Sequence, residues 1–186
     1  MNKKYVMLAA AIAVGFGAMG TLVGLHQKPP APPVTTAIAP TAGGQPHTPV
    51  SALFAEKMND VKGTPQALSQ WQGKALVVNF WAPWCGPCVQ EMPELSALAA
   101  ESAGKNIHII GIGIDSPTSI ADFAAKFKIA YPLYVAGMSG TDLARAFGNT
   151  AGGLPFTVLI GADGQVKKTY LGRLKFDQLK ADMAAL

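Results

Sequence analysis

Asn79-Phe80-Trp81-Ala82-Pro83-Trp84-Cys85-Gly86-Pro87-Cys88 holds both cysteines of a 186-residue chain, so all of its sulfur chemistry falls at one point. The run Ala75–Trp81 (Ala-Leu-Val-Val-Asn-Phe-Trp) that leads into it is apolar and rich in β-branched residues, the pattern of a central strand buried on both faces. Helical periodicity follows from about Pro87 to Ala103, with Met92, Leu95, Leu98 and Ala99 on one face and Pro93 expected to kink it early. A strand-to-helix junction places Cys85 at a helix start, where free N–H groups and the macrodipole favour a thiolate. Cys85 is therefore the expected nucleophile and Cys88, one turn on, the resolving thiol.

Other uses of two thiols are weaker. A disulfide across so short a loop stabilises a fold by only about 2 kcal/mol in the loop-closure model, so a purely structural staple is a poor reading. Zinc needs four ligands as a rule, and His26, His47 and His108 lack ligand spacing, so no metal site is assigned. Two thiolates do suit soft Cu(I), which stays open beside the redox reading.

The charge is uneven along the chain. Lys3, Lys4 and Lys28 precede the first acidic residue, Glu56, and beyond residue 50 twelve basic residues face eleven acidic ones. A nearly neutral folded part makes nucleic acid an unsuitable partner. Tyr5 to Leu25 is an uncharged stretch behind Asn2-Lys3-Lys4. As a helix it would extend about 31 Å, the span of a bilayer core, with the basic end held in the cytoplasm. Residues 1–25 are thus expected to be a retained membrane anchor, with a cleaved signal peptide as the rival. Seven of the 14 prolines lie between His26 and Val50, a composition for an extended spacer over 26–50 rather than a core.

From about Ser51 to Leu186 strand-like and helix-like segments alternate. Strands are expected at Ala75–Trp81, Ile107–Ile114, Pro132–Val135, Phe156–Ile160 and Val166–Leu171, the last two joined through an Asp163-Gly164 turn. Helices are expected at about Pro87–Ala103, Thr118–Phe127, Gly140–Phe147 and Phe176–Ala185, with a further strand or hairpin within Leu53–Thr64. This order indicates a mixed sheet with helices on both faces. Asp115 reads as a turn or helix-cap residue with Ser116-Pro117, His108 as a structural side chain, and Met92 and Met138 as packing.

The decapeptide, followed by Glu91-Met92-Pro93-Glu94-Leu95 and later by Gly153-Leu154-Pro155-Phe156-Thr157, closely resembles the thioredoxin-like TlpA/ResA family of membrane-anchored or exported thiol–disulfide oxidoreductases. The resemblance covers residues 51–186. It implies a thioredoxin-like α/β fold, and the 67 positions between Cys88 and Pro155 suit the central α/β insertion of that group. By the same resemblance Pro155 is the cis proline beside the disulfide, and Leu154 offers backbone hydrogen bonds to an incoming chain. Trp84, Gly86 and Pro87 then form the substrate groove around the attacking sulfur, while Trp81 packs below it. Asn79 stands where thioredoxin has a buried carboxylate, and an amide cannot act as a base. Glu91 is the nearest carboxylate in sequence. It is a candidate for proton handling, its other reading being a helix-surface residue that complements the dipole.

The Gly-Pro dipeptide is that of thioredoxin, whose potential is about −270 mV, and not that of oxidants near about −120 mV. The resemblance therefore implies a protein-disulfide reductase in the periplasm, anchored in the bacterial inner membrane. A membrane electron donor of the DsbD/CcdA type would recharge it. Its clients by family are apocytochrome c cysteines or a copper-site protein of a respiratory oxidase, and no cofactor beyond the Cys85–Cys88 disulfide is implied. A disulfide oxidase or isomerase, or a Cu(I)-binding carrier, remains the alternative.

Overall fold

Residues 48–186 are described by a computed structural model. The expected anchor and nearly all of the proline-rich spacer lie outside the described residues. Among the described residues no helix is long and apolar enough to cross a membrane.

The chain starts with α1 (Pro49–Ala55), where Thr48 accepts the Ser51 N–H on its side chain and Pro49 occupies the first turn, a helix start that needs no amide donor from proline. A hairpin, β1 (Lys57–Asp60) and β2 (Pro65–Ala67), then leads through a short 3-10 turn to β3 (Ala75–Trp81). Next come α2 (Gly86–Ser102), β4 (Ile107–Gly113), α3 (Pro117–Phe127), β5 (Leu133–Val135) and α4 (Ser139–Ala146). The chain ends with β6 (Phe156–Ile160), β7 (Val166–Leu171) and α5 (Phe176–Ala184). The strands form one mixed sheet in the order β2-β1-β5-β4-β3-β6-β7.

Two expectations are corrected. The early hairpin spans Lys57–Ala67, and Leu53 belongs to a helix. In addition, Val50, assigned by composition to the spacer, is buried in the core.

β3 is an interior strand next to the middle one, parallel to β4 and antiparallel to β6, and all seven of its residues are buried. Strand alternation divides its side chains between two cores. Leu76, Val78 and Phe80 pack with Leu53 of α1, Leu143 of α4 and Phe147, the residue that caps α4. Val77 and Trp81 pack with Cys88, Met92 and Leu95 of α2, Phe123 of α3 and Leu179 of α5. Asn79 shares the parity of Val77 and Trp81, so a polar side chain enters the second core where α2 crosses the sheet. The start of β3 carries a different feature: Thr48, Ser51 and Phe54 line a cleft with Gln72, Gly73 and the Asp163-Gly164 turn.

Gly111, the registered partner of Asn79 on β4, is held to zero side-chain volume by its neighbours. A Cβ there would lie 2.5 Å from Leu133 Cδ2 and 3.1 Å from Trp81 Nε1. Gly111→Ala is therefore expected to destabilise the fold by about 1–3 kcal/mol, the usual effect of overpacking a filled core. Urea unfolding checks this, and an unchanged midpoint would show that the layer above Gly111 yields without cost.

Candidate active site

The strand leaves the sheet after Trp81, whose carbonyl accepts the Ile114 N–H at 2.9 Å, and turns through Ala82, whose carbonyl accepts the Cys85 N–H at 3.1 Å. That turn delivers Cys85 to the N-cap of α2, where its Sγ accepts the Cys88 N–H at 3.3 Å. The two cysteines are joined as a disulfide. Cys85 is 6% exposed and Cys88 0%, so an incoming sulfur reaches only the first. The helix-start expectation for Cys85 thus has a specific donor, and the pair differs in access as the two roles require. α2 continues through Pro93 to Ser102.

Around the disulfide, Gly86 and Pro87 are exposed and Trp84 stands 69% exposed above it. Trp84 and Leu154 line a cleft of about 740 Å³ with Ile114, Val135, Ala136 and Met138. The Leu154–Pro155 bond is cis, as the resemblance implied. Asn149 clamps the approach to it: its side-chain amide donates to the Gly153 carbonyl at 2.8 Å and accepts the Gly153 N–H at 3.2 Å. On the other side the Pro155 carbonyl accepts the Gly172 N–H at 2.9 Å. Asn149 was not singled out by sequence reasoning, although its place before Gly152-Gly153 marks an amide-stapled turn. Met138 is corrected, since at 79% exposed it packs into no core and lines the cleft. Met92, by contrast, is fully buried beneath the helix.

Glu91 also departs from its surface reading. It lies fully buried one turn beyond Cys88, held by two donors. Asn79 Nδ2 donates to Oε1 at 2.8 Å, and the Leu174 N–H donates to Oε2 at 2.9 Å. Asn79 Nδ2 also donates to Thr157 Oγ1 at 3.0 Å, so the amide is fixed from both neighbouring elements. Burial raises the Glu91 pKa above the ordinary carboxylate value, against the lowering pull of the Leu174 and Asn79 hydrogen bonds and the Arg173 charge. A buried carboxylate thus lies on α2 one turn beyond Cys88, and Asn79 orients it.

The remaining polar residues singled out by sequence make local contacts, and Asp115 also lines the cleft beside Trp84. Asp115 Oδ1 accepts the Ser116 N–H at 2.5 Å, and Ser116 caps α3 by accepting the Ser119 N–H. His108 pairs in register with Leu76, at the end of β3 away from the cysteines, and its ring lies 5.1 Å from that of Trp71. No group of three or more His, Cys, Asp or Glu side chains placed to hold a metal ion occurs among the described residues.

A cysteine at a helix cap, a buried partner cysteine joined to it and a cis-proline loop beside them are the parts of a dithiol exchange site, and the family match agrees. The model of the Redoxin family matches residues 31–183. The chain belongs to the Redoxin family.

Among relatives, this redoxin is 28% identical over 130 residues to the thiol-disulfide oxidoreductase ResA of Geobacillus thermodenitrificans, covering 69% of this chain and 72% of the relative. It is 30% identical over 124 residues to ResA of Bacillus cereus, covering 66% and 69%. Among solved structures, a thioredoxin-family thiol:disulfide interchange protein of Chlorobium tepidum matches with TM-score 0.60 and 26% identity, over 70% of this chain and 91% of that one. A secreted Mycobacterium tuberculosis disulfide oxidoreductase homologous to E. coli DsbE matches in fold, with TM-score 0.61 and 24% identity over 73% and 98%. The expected thioredoxin-like fold is therefore present, and the Cys85–Cys88 pair makes this redoxin a thiol–disulfide oxidoreductase.

Proposed function

We propose that the protein is a dithiol reductase of protein disulfides, working outside the cytoplasm on a head tethered by residues 1–25 as membrane anchor and 26–50 as spacer. The Cys85 thiolate attacks one sulfur of a client disulfide; the client S–S bond breaks and its second sulfur leaves as a thiolate. Cys88 then gives its proton to Glu91 and attacks Cys85 Sγ. The mixed disulfide breaks, the client's first sulfur leaves as a thiolate, and the Cys85–Cys88 bond has taken the place of the client's. Two electrons have passed to the client. Trp84, Gly86, Pro87, Leu154 and Pro155 form the groove that receives the client, with Leu154 backbone groups pairing to it as to an added strand.

The observation that carries the direction is the environment of Cys85 Sγ. It receives one N–H, from Cys88, and the intervening Gly86-Pro87 supplies no cationic side chain. Strong oxidants owe their potential to a stabilised reduced form, and a modestly stabilised thiolate gives a lower potential. A reductase in an oxidising compartment needs a supply of electrons, which a membrane donor of the DsbD/CcdA type would bring from the cytosol. Apocytochrome c or copper-site proteins of respiratory oxidases are the clients this reading names.

The test is the reduction potential of the full-length chain, equilibrated against thiol buffers. The expected value is near or below about −250 mV, whereas a value of about −120 to −180 mV would reverse the direction and make the protein an oxidase or isomerase.

A further inference from the structure

Asn149 is 3% exposed and gives its whole side chain to one residue of the loop that shares a cleft with Trp84. Its Nδ2 donates to the Gly153 carbonyl at 2.8 Å, and its Oδ1 accepts the Gly153 N–H at 3.2 Å. An amide carries the same donor and acceptor as a peptide group, so the pairing copies one rung of an antiparallel ladder and takes up both backbone groups of Gly153. The clamp is itself anchored. The Asn149 N–H donates to the Ala144 carbonyl in the last turn of α4 at 3.1 Å, and the Asn149 carbonyl accepts the Gly152 N–H at 3.1 Å. Gly152 stands at φ +66°, the left-handed region that turns the chain back over the side chain. Beyond the clamp, the Pro155 carbonyl accepts the Gly172 N–H, and Phe156 enters the sheet in register with Phe80 and Leu171. Leu154, between them, is different: among the described residues its N–H and carbonyl have no partner.

We infer that Asn149 is a positioning residue for client binding. By serving Gly153 as a strand rung it closes that residue to an incoming chain, and it holds Leu154 as the residue of the loop whose backbone is open to pair. The inference rests on the proposed pairing of a client at Leu154, and it narrows the client class. The partner is an extended polypeptide with a free N–H and carbonyl beside its reactive cysteine, since strand addition draws its affinity from main-chain hydrogen bonds. A small disulfide without peptide groups gains nothing from the clamp. Among the described residues no other side chain hydrogen-bonds to residues 152–155, so the placement of this backbone depends on Asn149 more than on any other polar side chain.

Two disulfides separate this role from a packing role. One is a peptide closed by its own disulfide, and the other is dithiobis-nitrobenzoate, which has no peptide group. Stopped flow gives the second-order rate constant of the reduced full-length protein with each, and the ratio of peptide to small disulfide measures selectivity for a backbone. Asn149→Ala should lower that ratio about tenfold, the usual worth of a hydrogen bond. Asn149→Asp keeps the shape and the acceptor for the Gly153 N–H but loses the donor, and it should shift the ratio in the same direction if alanine prevents folding. In wild type, N-methylation of the peptide next to its cysteine should slow it by a similar factor. In Asn149→Ala the same methylation should cost less than about twofold, because both changes remove one pairing. A loss shared equally by the two disulfides, with the ratio at its wild-type value, would leave Asn149 a support of the fold and overturn the proposal. If N-methylation at each flanking residue leaves the wild-type rate as it was, no client pairs at Leu154, and the role of Asn149 falls with that reading.

Discussion

Cys88→Ala is expected to accumulate as covalent mixed disulfides with client proteins on non-reducing gels, while Cys85→Ala accumulates almost none. The asymmetry follows from access and electrostatics together. Cys85 sits at the N-cap of α2 with the Cys88 N–H directed at its sulfur, and it is the one of the pair that solvent touches. Removing Cys88 leaves this nucleophile able to attack, and the N–H that supports it is a backbone group that alanine retains. What is lost is the second displacement, so the first covalent product persists. Removing Cys85 leaves a thiol fully buried in the core beneath the sheet-facing side of α2, without access to a protein disulfide. Both variants should lose multiple turnover, but by stopping at different steps. Equal trapping by the two would mean that the exposure difference does not select the attacking sulfur.

Glu91→Gln is the second change with a large expected effect, and it reads on both rate and stability. As a positioned proton acceptor Glu91 is worth about 10²-fold in the resolving step, a typical contribution of general base catalysis. Its influence on stability has the opposite sign. Burial, the largest cause, raises its pKa above the ordinary value of 4.5, so the folded chain binds this proton more tightly than the unfolded chain. The resulting stabilisation is complete below the unfolded pKa and is lost as pH rises through the folded one. Glutamine has no such proton, so the variant should overtake wild type in stability as pH climbs through that window. It should do so while turning over more slowly. Denaturation midpoints on either side of the window, set beside single-turnover rates, check both. A variant less stable than wild type at high pH would show that the hydrogen bonds of the carboxylate outweigh the desolvation of its charge.

The legible parts of this chain are those whose partners lie nearby in sequence. β3 and α2 follow from a seven-residue apolar run and a helical periodicity that adjoin the cysteines, and the cap at Cys85 is a local event. The burial of Glu91 is not local. It depends on the Leu174 N–H, 83 residues away, and on Asn79 from the strand below, so a carboxylate on a helix looks like any solvated one until those elements assemble. α1 was lost for another reason. Thr48-Pro49 is a sound helix start, but it closes a proline-rich stretch whose composition reads as spacer. Met138 shows the limit of treating methionine as filler, for the cleft it lines is built from segments far apart in the chain, among them Asn59, Trp84, Ile114 and Leu154.

The cleft at the start of β3 bears on how the domain can be held. Thr48 lies there beside the Asp163-Gly164 turn, whereas the disulfide follows the other end of the same strand, seven residues and about 23 Å away. Whatever precedes Thr48 joins the domain at the pole that carries no chemistry. Any grip on the domain at that pole leaves the face around Cys85 and Trp84 open to an incoming chain, so what holds the domain and what reacts with it do not compete for the same surface.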